Sequence, residues 1–395
     1  MILGNGYKRH ISKKYYLFSH LNIKWLNKFH VIYKNKNKAL HIQIDIIYNG
    51  IEYPFIFWII LVCKKYCLMS VFFAFIFLIT GCQSVHKDSQ IIAGAFNTAT
   101  QVQKRLLDRH APRNVLIQSN IEYLKHPSLH FDLYQPADIQ ALGNRPTIVW
   151  VHGGGWIAGS KEHARGYFKR LADYGYNVVS IEYQFAPQYR YPEQLIQIDQ
   201  VLAFITQNAD LYHIDANQLF LAGDSAGANL VSHYAALATN PEFAQASDFR
   251  VGIQGQQIKG LILHCGIYDL ERFVRTAPDE MGLITWGVNT LVQAYTGDKK
   301  DDVEFLLSIS PSQHLTDQYP AVFISGGNKD FLTKTQSLPF VDDLKKKDIS
   351  VVEVFYPNSK EFLIHEYQFM MSKQASQETL QKTIQFIRKE SGSVN

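Results

Sequence analysis

Four cysteines in 395 residues are too few and too scattered for the usual cysteine architectures. No CxxC or Cys/His cluster has zinc spacing, and no disulfide framework is implied. Charge is scarce as well, at 19% Asp, Glu, Lys and Arg. Residues 1–81 hold 11 Lys/Arg against 2 Asp/Glu, leaving 28 against 33 for residues 82–395, so the formal charge of +4 belongs to the N-terminus alone. A slightly acidic body without a Lys/Arg-rich stripe excludes nucleic acid as a partner, because phosphate binding needs clustered positive charge. Also missing is an unbroken apolar run of spanning length. The stretch from Tyr53 to Thr80 is strongly apolar, but Lys64 and Lys65 cut it, and two ammonium groups near a bilayer centre are costly. What the chain does have is 47% hydrophobic residues, enough for a sizeable core.

Residues 1–60 are rich in Lys, Asn, Tyr and Ile without a steady helical or strand period, and no fold is assigned to them. After the lysine pair, CLMSVFFAFIFL has the length of a signal-peptide apolar region and runs into Ile79-Thr80-Gly81-Cys82, small residues at a cleavage point. Those four residues resemble the lipobox of bacterial lipoproteins, in which the peptidase cuts before a diacylated cysteine. The resemblance implies lipidation of Cys82, residues 1–81 as a non-structural extension plus signal peptide, and a membrane reached through the lipid anchor. Gln83 rather than Asp after the cysteine implies an outer-membrane lipoprotein of the cell envelope. The rival expectation is an uncleaved anchor helix. Some 60 residues ahead of a signal peptide also place the expected start codon near Lys64. Cys63 and Cys67 would leave with the signal, so Cys265 stands alone.

In the mature chain, residues 82–125 read as a polar linker and possible cap segment, with one short amphipathic stretch in AGAFNTATQVQKRLLDRHAP. From there apolar runs alternate with helical patterns, the mark of an α/β fold with a mostly parallel sheet flanked by helices. Strands are expected at SLHFDLYQP, 146–153, 177–184, 218–224, 259–269, 320–327 and 350–357. Helices are expected at 163–174, 193–208, 226–239, 333–346 and 375–390. Residues 126–392 form the expected catalytic domain, with 271–310, which lacks a clear strand, as a possible cap insertion.

Two motifs carry chemistry. Gly223-Asp224-Ser225-Ala226-Gly227 lies between an expected strand and an expected helix. This is the context in which GxSxG forms a nucleophile elbow, a strained turn that lifts a serine hydroxyl clear of the sheet. The helix amides that follow favour negative charge there. About 70 residues earlier, His152-Gly153-Gly154-Gly155-Trp156 follows the strand PTIVWV. A glycine run lets backbone amides approach a substrate, which acyl transfer needs for its developing oxyanion.

Together with EYQFAPQYRYPEQL at 182–195, these motifs resemble the α/β-hydrolase superfamily, in its hormone-sensitive-lipase-like esterase branch. Gln184 and Gln188 replace the usual Arg and Glu of that segment, which puts a local salt bridge in doubt. The resemblance implies a chain order of Ser, acid, His. Of the 15 histidines, only His365 lies beyond Ser225 and the later strand-end carboxylates, which makes it the expected base. It is followed by Glu366-Tyr367, where relatives often have Gly-Phe. Asp330, after PAVFISGGNK, matches the family's acid position. Asp269 is its rival, while Asp342 and Asp343 read as surface charges on a helix. His233, His264 and His314 read as packing or surface residues. Family roles place oxyanion donors at the amides of Gly154, Gly155 and Ala226, with His152 bracing the glycine loop. Trp156 and Tyr183 are open between pocket lining and core.

The implied activity is hydrolysis of a small carboxylic ester through an acyl-enzyme, with no cofactor and no metal called for. Amide hydrolysis, as in the similar formamidases with HGGxW motifs, is the enzymatic alternative. An inactive binding protein on a hydrolase fold is the non-enzymatic one. Oligomeric state is not readable from the sequence.

Overall fold

The computed structural model describes residues 29–36, 39–48, 51–60, 85–277 and 282–392, divided into two compact units, Met1–Cys82 and Gln83–Asn395. The expected signal peptide and Cys82 lie outside the described residues. No helix among the described residues is long and apolar enough to cross a membrane.

In the first unit, β1 (Phe29–Lys36), β2 (Ala39–Tyr48) and β3 (Ile51–Ile60) form a three-stranded antiparallel sheet in that order, with Phe29 opposite Ile46 and Ala39 opposite Ile60. For these three stretches this corrects the reading that assigned residues 1–60 no fold. Runs such as IEYPFIFWII do not alternate strictly between apolar and polar, which hid them, yet their β-branched and aromatic content suits strands. The sequence between β2 and β3 is Asn49-Gly50, the dipeptide that favours a two-residue hairpin.

The second unit opens with α1 (Val85–Asp108) and the edge strand β4 (Val115–Glu122), followed by β5 (His130–Pro136), β6 (Arg145–Val151), α2 (Arg165–Asp173), β7 (Asn177–Ile181), α3 (Glu193–Gln207), β8 (Ile214–Asp224) and α4 (Ala226–Thr239). Next come β9 (Ile258–His264), α5 (Leu270–Arg275), α6 (Gly282–Thr296), α7 (Val303–Ser308), β10 (Ala321–Gly326), α8 (Leu338–Lys346), β11 (Val351–Phe355) and α9 (Gln374–Glu390). The eight-stranded sheet runs β4-β5-β7-β6-β8-β9-β10-β11. It is parallel from β7 to β11 and antiparallel where β5 meets β4 and β7.

Side-chain alternation along the strands builds two apolar layers. Ile148, Trp150, Phe220, Ile262 and Phe323 face α2 and α9. Val149, Val151, Leu221, Leu263 and Ile324 face the layer containing α3, α4 and α8. Strands covered on both sides must be apolar almost throughout, and for that reason they were the most legible elements. The amphipathic stretch expected within 82–125 belongs to a 24-residue helix, longer than its pattern suggests, and a strand follows it. β4 is mostly exposed, and its apolar run stops after Val115-Leu116-Ile117, too short to mark a strand.

Within 271–310 the described residues form no strand and hold most of α5 together with α6 and α7. α6 and α1 both reach the glycine loop: a Cβ placed on Gly155 would lie 2.5 Å from Leu291 and 3.2 Å from Phe96.

Candidate active site

β8 ends at Asp224, and Ser225 takes φ 53°, ψ −120° before α4 begins at Ala226. A positive φ is strained for a residue with a Cβ and recurs where a turn must aim a side chain. The crowding around this turn demands glycine. A Cβ on Gly223 would come within 2.6 Å of the Gly227 carbonyl oxygen, and one on Gly227 within 2.0 Å of the Val151 carbonyl oxygen. The GxSxG spacing is thus a packing requirement as well as a turn signal. Ser225 is anchored by its amide, which donates to His264 O at 2.9 Å. Its hydroxyl makes no hydrogen bond among the described residues.

The glycine loop runs alongside, with a Cβ on Gly153 falling 3.1 Å from that of Ser225. Gly154 and Gly155 adopt φ 109° and 61°. Among the described residues their amides donate to no protein acceptor, and the Ala226 amide is one of the four that a helix start leaves without an internal partner. His152 is fully buried, stacked on Tyr183 with ring centroids 4.3 Å apart, with Nδ1 2.7 Å from Gly153 O. It braces the loop. Tyr183 donates to His152 O at 3.1 Å, and Trp156 stacks on Tyr295 while its indole N–H donates to Asn229 Oδ1 at 3.2 Å. Both rings are buried, so packing rather than pocket lining is their place.

After β10, the turn at Gly326-Gly327 carries Asp330 to the loop that follows β11. Here the backbones touch: a Cβ on Gly327 would lie 2.3 Å from Leu363 O, and Lys329 N donates to that same oxygen at 2.9 Å. Asn328 latches the two loops together, donating to Ser359 O and Glu361 O at 3.1 Å and accepting from Leu363 N at 3.2 Å. His365 Nδ1 then sits 2.7 Å from Asp330 Oδ2, while Asp330 Oδ1 accepts from Leu332 N at 3.0 Å. The rival, Asp269, is occupied elsewhere: it caps α5 by accepting from Arg272 N at 2.8 Å. Asp343 pairs with Lys346 on α8. His264 and His233 are buried, and burial pushes their pKa values down to about 4 and about 3. His314 stacks on Phe243.

Burial works against the imidazolium of His365, yet its pKa stands well above 6.5 because Cys265 and Asp330 face the ring. Burial drives the Cys265 thiol itself up to about 11. The thiol is therefore uncharged near neutrality, and the Asp330 carboxylate supplies the attraction. Water screens part of it, since the His365 side chain is 40% exposed. Cys265 Sγ lies within 4.8 Å of polar atoms of Asp330 and His365. The carboxylate and ring are bonded to each other, which reads as an acid–base pair with a buried thiol beside it.

Several site residues escaped sequence reasoning. Asp224 is fully buried and accepts from Trp150 Nε1 at 2.8 Å and Gly153 N at 2.9 Å, with His163 Nε2 at 2.9 Å. Its place inside GDSAG was visible, but nothing marked His163 as its partner. The doubtful salt bridge at Gln184 is replaced by amides: Gln184 N donates to Gln197 Oε1 at 2.8 Å, and Gln197 Nε2 returns a bond to Gln184 Oε1 at 2.6 Å.

The BD-FAE family model matches residues 131–344. The probable carboxylic ester hydrolase LipM of Mycobacterium tuberculosis is 27% identical over 222 residues, covering 55% of this chain and 49% of LipM. Esterase LipC of the same organism is 27% identical over 240 residues, 59% of this chain and 56% of LipC. The chain spans about half the length of these curated relatives. Among solved structures, esterase B from Lactobacillus rhamnosis superposes with a TM-score of 0.68 at 21% identity, covering 78% of this chain and 95% of that one. The esterase of Pyrobaculum calidifontis gives 0.61 at 20% identity, covering 83% and 98%. At such identities the likeness shows the fold, which is that of the α/β-hydrolases.

Proposed function

The chain belongs to the BD-FAE family, and from that premise we propose that it is a serine hydrolase of small carboxylic esters. The observation that carries the reading is the 2.7 Å contact between His365 Nδ1 and Asp330 Oδ2, made on loops at the same sheet end as the strained Ser225. The names of the relatives, an ester hydrolase and an esterase, point the same way.

In the proposed reaction Ser225 Oγ attacks the ester carbonyl carbon as His365 Nε2 takes the hydroxyl proton. Asp330 holds the ring with its proton on Nδ1 and stabilises the imidazolium that forms. The amides of Gly154, Gly155 and Ala226 receive the developing oxyanion. Collapse of the tetrahedral intermediate breaks the bond to the alcohol oxygen, which leaves with the proton from His365. Water then repeats the sequence on the acyl-enzyme, releasing the acid and restoring Ser225. The same reading includes a mature chain beginning at a lipidated Cys82 and anchored at a membrane of the cell envelope.

Labelling with a fluorophosphonate probe tests the nucleophile, and turnover across p-nitrophenyl esters from acetate to palmitate tests the substrate class. Stoichiometric labelling lost in Ser225→Ala is expected. A folded chain that neither labels nor turns over any ester, or that prefers an N-formyl aryl amide, would overturn the proposal.

A further inference from the structure

Behind Ser225 a second carboxyl group meets Asp224, and the reaction above uses neither. Asp224 is held ionised: burial opposes its charge, but His163 and the hydrogen bonds from Trp150 and Gly153 outweigh that and keep its pKa low. The neighbouring carboxyl belongs to Glu366, directly after His365, at φ 57°. A left-handed backbone suits the glycine that relatives often carry there, so a residue with a Cβ at this position calls for compensation. The turn that follows, Tyr367–Phe369, places Phe369 against His163 at 5.5 Å and Trp150 at 6.0 Å between ring centroids. These are the two side chains that also bind Asp224. The Glu366 carboxyl lies within hydrogen-bonding reach of Asp224, with His365 and His163 also facing it. Two carboxyl groups in such contact, Asp224 fully buried and Glu366 partly so, cannot both stay charged without large cost, so Glu366 keeps a proton and donates it.

We propose that Glu366 is a positioning residue: its carboxyl O–H, donated to Asp224, ties the loop presenting His365 to the carboxylate that also holds the Gly153 amide of the glycine loop. The inference rests on the esterase reading. Burial, then the charge of Asp224, push Glu366 up to about 7, while His365 and His163 pull it down. Below that pH the tie is made. Above it Glu366 ionises, the donor is lost and two carboxylates repel. The remaining group near the pair, Cys265, stays a neutral thiol through this range.

The sign for stability follows from linkage. A free Glu ionises near 4.5, so between that pH and about 7 the unfolded chain releases a proton that the folded chain retains. Wild type therefore loses stability across this window. Glu366→Gln keeps a donor and cannot ionise, so it escapes the loss.

The test compares wild type, Glu366→Gln and Glu366→Ala in kcat and KM for p-nitrophenyl acetate and in Tm, from about pH 5 to about pH 9. Glu366→Gln should match wild-type kcat near pH 6, and the ratio of its kcat to that of wild type should rise above one as pH passes about 7. Its Tm should rise relative to wild type as pH increases from about 5 to about 7. Glu366→Ala should lower kcat at least about fivefold near pH 6 with KM little changed. The proposal is overturned if Glu366→Gln follows the wild-type pH profile and Tm curve, or if Glu366→Ala keeps wild-type kcat. A folded wild type that is neither labelled at Ser225 nor active on esters would instead sink the esterase reading, and the Tm comparison would still decide the tie.

Discussion

Replacing Asp330 by Asn keeps shape while removing the charge that faces His365, which makes it the sharpest probe of the acid–base pair. The Asp330 side chain is 1% exposed and the His365 side chain 40%, with 2.7 Å between Oδ2 and Nδ1. During attack the ring becomes an imidazolium, and a unit charge pair at about 4 Å is worth about 4 kcal/mol at an effective dielectric of 20. Screening at the half-exposed ring reduces this to about 2–4 kcal/mol, or roughly 30- to 1,000-fold in kcat. An amide that stabilises the wrong ring tautomer would push the loss towards about 10⁴. KM should change little, because the interaction grows only in the transition state. The assay is kcat and KM on a p-nitrophenyl ester against pH, with a thermal melt to verify folding. Since Asp330 raises the pKa of His365, its removal should also move the acid limb of the profile to lower pH. Asp269→Asn is the control: as the cap of α5 it should cost about 1 kcal/mol of stability or less and leave kcat intact. An Asp330→Asn enzyme with less than a tenfold loss, under about 1.4 kcal/mol, would refute the assignment, as would a larger loss at Asp269.

Ser225→Ala and His365→Ala should each lower kcat by several orders of magnitude, with the double variant scarcely worse, because the members act as a unit; additive losses would separate them. Gly154→Ala would press its Cβ to 2.2 Å from Ala158 O at φ 109°, so kcat should fall by about 10²-fold as for a lost oxyanion donor. A folded Gly154→Ala variant with wild-type kcat would move the oxyanion hole elsewhere. Gly155→Ala meets the end of Leu291 at a φ of 61°, so Leu291→Ala should restore only part of what it loses, which kcat measured on the double variant checks. Cys82→Ser should block lipidation and leave an unprocessed precursor. An unmodified Cys82 in a mature chain still carrying residues 64–81, seen by mass spectrometry, would favour an uncleaved anchor.

What could be read from the sequence was whatever burial writes into it. Strands covered on both faces are nearly pure apolar runs, so β6 to β10 stood out. Glycines forced by backbone contact, at 223, 227 and 327, left fixed punctuation around the motifs. The position of Asp330 was legible because Gly326-Gly327 ends a buried strand. Its contact with His365 also depends on Asn328, a polar loop residue with no pattern to betray three hydrogen bonds. β4 is mostly exposed and α1 carries a weak apolar stripe, so neither announced its length. The Asp224–His163 contact joins residues 61 apart in sequence, and a pairing at that distance has no periodicity to detect.

The fixed part of the site is tied from behind. Asp224 binds the Gly153 amide, Asn328 binds the loop at Leu363, and Leu332 N orients Asp330. None of these bonds falls on the Ser225 hydroxyl or on the ring nitrogen expected to take its proton. Ties placed there would compete with the substrate, since each hydrogen bond made in the free protein must be given up at the moment of reaction. The front of the site has a different character. α1 and α6 touch the glycine loop through the apolar side chains of Phe96 and Leu291, contacts without direction that tolerate changes of size better than hydrogen bonds tolerate changes of angle. Geometry for chemistry is thus held by polar bonds on the sheet side, while over the glycine loop apolar packing leads and one bond, from Gly159 N to Asn97 Oδ1 of α1 at 3.3 Å, supplements it.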